Sequence, residues 1–395
     1  MDRRRFLLAS LLAPVGARGQ DFDAFKRSQR QGVEDQREAF EDYKERVRKA
    51  FERYKRAHAK AVKAHRDNLE AVWSSPERTD NRKWVEYGQD RESQRVVDFA
   101  ADEIRIKVVE RDKASTDDLL FSQLTDLLSE DFATAFRRNP VDQRVEKALL
   151  ETPEAVAQGE PGRQLIMGDL FDRPDPGSDQ VEAKAKQLMQ SASRQRQDVV
   201  PGSGWANVIS VPLDEGRPMD KANRFLPLVR QQAREHDLAE SLVLAVMHTE
   251  SSFNPMARSH IPAYGLMQIV PESAGKDATR LLHGEPKVLA PSYLYEPENN
   301  IRVGAAYLHL LYHRYMAPVK EAESRLYCAI AAYNTGASNV ARTFTGNGSM
   351  TEAAKVVNGR SGKEVFRTLV RELPYEETRD YLKRVTRRMP AYSEL

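Results

Sequence analysis

The apolar residues of this chain change their spacing along the sequence, and this change limits the folds that it can adopt. Between residues 21 and 73 they recur every three or four positions, which is typical of an amphipathic helix. Residues 84–109 contain segments in which apolar and polar residues alternate, as they do in strands. From residue 222 onward the helical spacing returns. The sequence therefore predicts an α+β protein in which a long helix and a small antiparallel sheet precede an all-α domain.

The same patterns indicate where the domains divide. At 395 residues the chain is long enough for two or three of them. We assign residues 1–20 to an export signal and residues 21–213 to a mixed α+β domain. Charged and turn-forming residues follow, so a linker is placed at residues 214–221. Residues 222–395 are then expected to form a compact helical domain.

Individual elements can be placed from the spacing alone. Strands are expected at Trp84–Tyr87, Arg95–Phe99, Glu103–Val109 and Trp205–Leu213. Before residue 214, helical spacing predicts a helix at Leu119–Phe136 and a polar helix that ends near Gln195. In the helical domain, helices are expected at residues 222–235, 238–249, 299–315, 322–334, 363–373 and 375–388. Ser361 and Glu364 have the spacing of a capping box, which predicts a helix start there.

The first residues have the order of an export signal. Arg3–Arg5 are positively charged, Phe6–Pro14 are mostly apolar, and Val15–Ala17 are small residues suited to cleavage. The apolar stretch is shorter than the roughly 20 residues that span a bilayer, and the start of the chain resembles a twin-arginine signal. We therefore expect a periplasmic protein of the cell envelope. The sole cysteine, Cys328, lies far from this segment in an apolar run, so we expect a buried thiol and no lipid anchor.

Charge and helix pattern bear on the partners of the protein. Because the formal net charge is +2 and acidic and basic residues are interleaved, the sequence does not favour nucleic-acid binding. The long helix at residues 21–73 allows two interpretations. It packs on its own domain, or it associates with a second copy as a coiled coil, although many stripe positions are Ala, Tyr or His.

One acidic residue has the surroundings that a general acid needs. Glu250 follows the apolar run Leu242–Met247, and at helical spacing the last residues of that run lie beside it. An apolar environment disfavours the carboxylate and raises its pKa, which keeps the proton available near neutral pH. The alternative is an exposed glutamate at a helix C-terminus. Gln268 also has two interpretations, as a helix-surface residue or as a group that faces a cleft.

Three short segments, in a fixed order, carry a family resemblance. The segments begin at Glu250, at Gly265 and at Ala332, and they resemble the catalytic domain of lytic murein transglycosylases, which is goose-lysozyme-like. The resemblance extends from about Met247 to Arg384. It implies a lysozyme-like fold for this part of the chain. The layout with a mixed N-terminal domain is similar to that of the membrane-bound lytic murein transglycosylase C group.

The resemblance implies roles for individual residues. Glu250 would be the catalytic acid and base, and Ser259 would form a hydrogen bond near it. Gln268 would bind substrate, framed by Gly265 and Met267. The remaining implied site residues are Tyr333, Asn334 and Tyr381, the last with its hydroxyl directed at the acid. The helix that contains Asn300 and Gly304 would be architectural. Thr335 departs from the family, which often has glycine there.

The resemblance also implies a reaction. Peptidoglycan glycan strands would be the substrate, and the bond between N-acetylmuramic acid and N-acetylglucosamine would be cut with a 1,6-anhydro-muramoyl product. No cofactor is expected, and the histidines do not have metal-ligand spacing. Glu272 and Asp277 lie in a polar stretch and are expected to be solvated. Two alternatives remain open, namely a lysozyme-type hydrolase on the same fold and a non-catalytic peptidoglycan-binding protein.

Overall fold

The computed structural model describes residues 19–110, 116–200, 204–214, 217–260 and 262–395. Contacts divide the chain into two units, one that ends at Lys49 and one that runs from Ala50 to Leu395. The predicted export signal lies outside the described residues, apart from its last two. The division into domains at residues 213 and 222 stays a prediction. The sheet and the helical region both lie within the larger unit.

The long N-terminal helix, α1, covers Gly19–Glu70, close to the predicted range. Its apolar stripe is buried from Ala50 onward, with Tyr54 and Leu69 almost inaccessible to solvent. This part of the helix therefore packs within its own unit, in agreement with the interpretation that the helix packs on its own domain. Association with a second copy stays a prediction.

An antiparallel sheet of order β1-β2-β3-β6-β5 forms the centre of the first half of the larger unit. The strands of the chain are β1 (Lys83–Tyr87), β2 (Ser93–Asp98), β3 (Glu103–Val109), β4 (Val156–Ala157), β5 (Ser193–Val200), β6 (Gly204–Pro212) and β7 (Val288–Leu289). The predicted small antiparallel sheet is thus confirmed. The interpretation of residues 193–195 as helical is wrong. Strand β5 is polar, and main-chain pairing with β6 holds it at the sheet edge.

Helices also pack against this sheet, and the predicted helix at Leu119–Phe136 is in fact two. The helices before residue 214, other than α1, are α2 (Thr116–Leu128), α3 (Phe132–Arg138), α4 (Pro140–Leu149) and α5 (Ser178–Ser191). The break has a local cause. Asp131 is extended, and its carboxylate accepts a 2.6 Å hydrogen bond from the backbone of Thr134, which starts a new helix.

The second half of the larger unit is helical, as predicted. Its helices are α6 (Arg217–His236), α7 (Glu240–Ser251), α8 (Lys276–His283), α9 (Pro291–Leu294), α10 (Pro297–His309), α11 (Ala322–Thr335), α12 (Ala337–Thr345), α13 (Met350–Val357), α14 (Gly362–Glu372) and α15 (Glu376–Arg388). The capping box of Ser361 and Glu364 is present at the start of α14. Cys328 is buried in α11, as expected. Within the described ranges, no helix combines the length and apolarity needed to cross a membrane.

Among the connections that join the sheet half to the helical half, two involve α6 and β4. Residues 217–221 were assigned to the linker, but they form the first turn of α6. The reason is a buried ionic cluster, in which Arg217 pairs with Asp169 and Asp102, and Lys221 pairs with Asp102 at 2.7 Å. The second connection is β4, which pairs in parallel with β7.

Candidate active site

Glu250 lies in the last turn of α7, where the apolar run from Leu242 to Met247 is buried. After Ser251 the chain turns sharply, because Ser252 and Phe253 adopt left-handed backbone conformations with φ of 52° and 65°. The Glu250 side chain lines a cavity of about 640 Å³. The other residues that line this cavity are Asn81, Arg82, Thr249, Asn334, Glu377, Asp380, Tyr381, Lys383, Arg384 and Arg387.

The protonation of Glu250 follows from this position. Burial raises the pKa of the carboxyl from 4.5 to about 8, and the negative charge of Glu377 acts in the same direction. Tyr381 and the cation of Arg384 oppose the rise. Glu250 is therefore mostly protonated at neutral pH, which a general acid requires. Glu250 is only partly exposed, at the wall of the cavity, which fits the acid in apolar surroundings better than the exposed glutamate. Its catalytic role stays a prediction.

Tyr381 extends from α15 toward Glu250. Its side chain is 2% exposed, and both burial and the neighbouring carboxyl raise its pKa well above the ordinary value. The hydroxyl lies close enough to lower the pKa of Glu250, yet it forms no hydrogen bond of standard geometry with any described residue. A buried hydroxyl in this state is available to a ligand or to the carboxylate form of the acid.

Tyr333 and Asn334 come from the end of α11. The hydroxyl of Tyr333 donates a 2.8 Å hydrogen bond to the carbonyl of Met267. Burial raises the pKa of this hydroxyl, and the charge of Glu250 adds a smaller effect in the same direction. Asn334 lines the cavity, and its side-chain oxygen accepts a 2.6 Å hydrogen bond from Thr378 on α15. The structure thus brings Glu250, Asn334 and Tyr381 to one cavity, and Tyr333 lies close enough for the charge of Glu250 to raise its pKa.

Asn300 holds the turn that contains Gly265 and Met267. Its side-chain oxygen accepts a 2.8 Å bond from the backbone of Met267, and its amide donates 2.8 Å bonds to the carbonyls of Tyr264 and Leu294. Gly265 has φ of 70°, and a Cβ there would collide with the Asn300 side chain. These contacts explain the glycine and give Asn300 the architectural role that the resemblance implies.

Gly304 supports the same turn from α10. A Cβ at this position would overlap with the side chain of Met267, so the helix and the turn pack in direct contact. The Met267 side chain is fully buried. Ser251 adds a further tie, because its hydroxyl donates a 2.7 Å hydrogen bond to the carbonyl of Leu266. The turn is thereby fixed to the residue next to Glu250.

Gln268 does not face the cavity of Glu250. Its backbone is left-handed, with φ of 46°, and its side-chain amide donates a 3.0 Å hydrogen bond to the carbonyl of Gly265. The residue is 9% exposed and closes its own turn. Neither the helix-surface position nor the cleft-facing position describes this arrangement. A substrate-binding role for Gln268 stays a prediction.

Ser259 also lies apart from the acid. Its hydroxyl accepts a 3.2 Å hydrogen bond from the backbone of Ala263. The residue lines a larger cavity of about 1010 Å³, which is also lined by residues of α1, β1, α3, α4 and the loop at residues 76–81. Asn81 lines both cavities, so this loop residue marks the place where they meet. A role for Ser259 beside Glu250 stays a prediction.

Sequence reasoning missed the residues that the sheet half contributes. The side-chain amide of Asn81 donates a 2.9 Å hydrogen bond to the carbonyl of Glu250, and Arg82 lines the cavity. The carbonyl of Asp80 accepts a 3.2 Å bond from the backbone of Arg258. No local pattern marks these residues, since they approach Glu250 only through the tertiary fold. The charged residues of α15 could have been predicted. Glu377 lies four residues before Tyr381 and Arg384 three residues after it, a spacing that places all three on one face of a helix.

Other acidic residues near Glu250 in sequence are occupied elsewhere. Glu272 pairs with Lys55 at 2.7 Å, and Asp277 accepts a 3.1 Å hydrogen bond from Tyr315. Neither lines the cavity of Glu250. Among the described residues, no group of three or more His, Cys, Asp or Glu side chains is arranged to hold a metal ion. Glu377 and Asp380 do line the cavity, but both are exposed, and Asp380 pairs with Lys383.

Comparison with known proteins identifies the relatives of this chain. Residues 227–355 match the profile of the transglycosylase SLT domain. The chain is similar to the membrane-bound lytic murein transglycosylase C of Klebsiella pneumoniae (strain 342), with 43% identity over 172 residues, 44% of this chain and 47% of that protein. It is also similar to the protein of the same name from Yersinia pestis (strain Pestoides F), with 44% identity over 165 residues, 42% of this chain and 45% of that protein.

A solved structure shows a more partial likeness. An inactive mutant of the lytic transglycosylase Slt from Pseudomonas aeruginosa is 27% identical, covers 42% of this chain and 24% of that chain, and has a TM-score of 0.33. The chain spans about half the length of the curated relatives it matches. The profile match and the curated relatives confirm the resemblance to lytic murein transglycosylases that the motifs predict.

Proposed function

We propose that this protein is a lytic transglycosylase that cuts the glycan strands of peptidoglycan between N-acetylmuramic acid and N-acetylglucosamine. The single observation that carries the proposal is the state of Glu250, an acid whose pKa is raised to about 8 in a cavity large enough for sugar residues. The matched SLT profile and the names of the curated relatives support the same reaction class. The compartment that fits this substrate is the cell envelope, and the relatives are named as membrane-bound.

Glu250 would act twice in the reaction. Its proton first passes to the glycosidic oxygen, so that the bond from the muramoyl C1 to that oxygen breaks and the N-acetylglucosamine side leaves as an alcohol. The carboxylate that remains then accepts the proton of the muramoyl C6 hydroxyl, whose oxygen bonds to C1. The product is a 1,6-anhydro-muramoyl end. A second carboxylate is not needed, because the substrate supplies the nucleophile.

The neighbours of Glu250 would adjust these steps. Tyr381 has a hydroxyl without a standard partner among the described residues, and it would stabilise the carboxylate form after the first proton transfer. Asn334 lines the cavity, and its side-chain oxygen accepts the hydrogen bond of Thr378. Its side-chain amide donates to none of the described residues, so it would be available to an acetamido group. Tyr333 would act indirectly, because its hydroxyl holds the turn at Met267.

Mass spectrometry of the products would test the proposal. Purified sacculi are digested with the wild-type protein and with Glu250→Gln, and the soluble muropeptides are analysed. Anhydro-muramoyl ends that are formed by the wild type and lost in the variant are the expected result. Reducing ends would instead establish a hydrolase. Binding to sacculi without any soluble product would favour the non-catalytic protein and would overturn the proposal.

A further inference from the structure

A buried ion pair joins the two halves of the larger unit. Asp142 lies in the first turn of α4, in the sheet half, and is inaccessible to solvent. Its carboxylate accepts a 2.9 Å hydrogen bond from the guanidinium of Arg258, which is 8% exposed. Arg258 belongs to the helical half and lies in the loop between Glu250 and Gly265. The pair therefore connects α4 to the loop that follows the acid.

Both members of the Asp142–Arg258 pair have further partners. The second carboxylate oxygen of Asp142 accepts a 3.0 Å hydrogen bond from the hydroxyl of Tyr295. Arg258 also donates a 3.3 Å bond to the side-chain oxygen of Asn139, which caps α4. The backbone N–H of Arg258 donates a 3.2 Å bond to the carbonyl of Asp80. The sheet half thus holds Arg258 at its side chain and at its backbone.

The segment that contains Arg258 is tied to the turn at Gly265. Arg258 and Tyr264 form an isolated antiparallel bridge, and the backbone N–H of Gly265 donates a 2.8 Å bond to the carbonyl of Ala257. The same turn accepts the 2.7 Å hydrogen bond of Ser251, the residue next to the acid. The anchor of the loop in the sheet half is therefore connected to the acid by short contacts.

The neighbouring titratable groups leave the charges of the pair uncompensated by anything but each other. Burial lowers the pKa of His58 and of His65 to about 4, and the positive charge of Arg258 acts in the same direction, so both imidazoles are neutral at pH 7. Glu146, whose pKa burial raises, accepts a 2.6 Å hydrogen bond from a serine of α9. Within the described ranges, Asp142 is the one carboxylate at ion-pair distance from Arg258.

A buried ion pair is a poor means of stabilising a fold. The desolvation of two charges offsets much of their attraction, and apolar side chains of similar volume often stabilise a protein as well or better. What the pair adds is direction, because a planar guanidinium binds a carboxylate in few orientations. The first turn of a helix also favours a negative charge, which suits Asp142 to this place. The arrangement fits a loop that must be held in one position.

We propose that Asp142 is a positioning residue for the reaction, which fixes through Arg258 the loop and the turn that flank Glu250. The sheet half would thereby complete the active site of the helical half. The inference rests on the proposed function. Neither Asp142 nor Arg258 lines the cavity of Glu250, so their effect on the reaction is indirect. A misplacement of about 1 Å near the reacting groups can lower a rate about a hundredfold, so a small shift of the loop is measurable.

A double variant separates positioning from stability. Asp142→Asn alone or Arg258→Met alone leaves one buried charge without its partner and should destabilise the protein strongly. The double variant Asp142→Asn/Arg258→Met removes both charges, and the amide introduced at position 142 can still accept the bond of Tyr295. We expect its thermal unfolding to be close to that of the wild type. Lys55→Gln is the matched control, because it removes an exposed 2.7 Å ion pair, with Glu272, that also joins the two halves.

The experiment measures kcat and KM on purified glycan strands, at a temperature at which circular dichroism shows each protein to be folded. The double variant should lose kcat about tenfold or more, with a smaller change in KM. Tyr295→Phe, which removes one hydrogen bond of Asp142 and no charge, should lower kcat several-fold. Lys55→Gln should keep the wild-type constants. Amide hydrogen exchange at residues 263–268 should be faster in the double variant than in the wild type or the control.

The outcomes separate this inference from the proposed function. A double variant with wild-type stability and wild-type kcat would show that the pair only neutralises charge, and the inference would be overturned. If the double variant does not fold, Tyr295→Phe decides, and an unchanged kcat in that variant overturns the inference. A wild type that releases no product contradicts the proposed function itself. Hydrogen exchange needs no turnover, so exchange that is unchanged in the double variant overturns the anchoring of the loop in either case.

Discussion

The side-chain amide of Asn81 donates a 2.9 Å hydrogen bond to the main-chain carbonyl of Glu250. Asn81 lies just before the first strand of the sheet, and Glu250 is in the last turn of α7. That carbonyl is one of the last in its helix, and the last carbonyls of a helix have no backbone N–H partner within it. The sheet half thus stabilises the end of the helix that carries the acid.

Replacement of Asn81 by Ala tests this contact. The carbonyl of Glu250 would lose its donor, and we expect the free energy of unfolding to fall by about 1 kcal/mol. Since Glu250 would be held less firmly, kcat should fall several-fold, with a smaller change in KM. Asn223→Ala provides the control, because Asn223 is exposed on α6 and its side chain makes no hydrogen bond to the described residues. A variant with wild-type kcat would show that the contact is not needed for catalysis.

The pH dependence of stability tests the pKa of Glu250. Its folded value of about 8 lies above the ordinary 4.5, so the folded protein retains a proton that the unfolded chain has lost. The protonated Glu250 therefore contributes fully to the free energy of unfolding below pH 4.5, and this contribution is lost as the pH rises to about 8. The side chain of the Glu250→Gln variant does not titrate, so the variant lacks this pH dependence. Denaturant titrations should therefore show the variant gaining stability over the wild type between these pH values, and a constant difference would contradict the raised pKa.

Tyr381→Phe should change the pH profile of activity. The hydroxyl lowers the pKa of Glu250, so its removal should move the basic limb of kcat/KM to higher pH. The carboxylate formed in the reaction would also lose a donor, and kcat should fall about tenfold or more. Stability should change little, because the hydroxyl has no standard hydrogen bond to the described residues. Tyr375→Phe, at a residue 57% exposed, should leave both quantities unchanged.

Asn300→Ala is expected to destabilise the protein strongly. The variant leaves the backbone of Met267 and the carbonyls of Tyr264 and Leu294 without their 2.8 Å partners. Loss of buried hydrogen bonds of this kind costs about 1–3 kcal/mol for each unsatisfied group, so we expect a loss of at least about 3 kcal/mol. Chemical denaturation measures the change. A loss below about 1 kcal/mol would mean that the turn does not depend on Asn300.

Some parts of the fold and site were predictable because local chemistry decides them. Strand β3 has the predicted bounds, Glu103–Val109, and polar and apolar residues alternate in it from Glu103 to Val108. The environment of Glu250 followed from the apolar run Leu242–Met247, which is buried on every side. The capping box at Ser361 is likewise a matter of a few adjacent residues.

Other parts depend on contacts between distant residues. Strand β5 is a polar segment that becomes a strand only because β6 pairs with it. The direction of Gln268 is set by a left-handed backbone angle that Asn300 and Gly265 impose together. Asn81 reaches Glu250 across 169 positions of sequence, so no window along the chain could reveal it.

The buried cluster of Arg217, Lys221, Asp102 and Asp169 has a consequence for how the protein comes apart. Its charges come from both halves of the larger unit, and separating the halves would leave them unpaired during unfolding. The sheet and the helices that carry Glu250 should accordingly melt in one cooperative transition. A substitution that destabilises the sheet would then lower the activity that depends on Glu250, because it lowers the fraction of folded molecules.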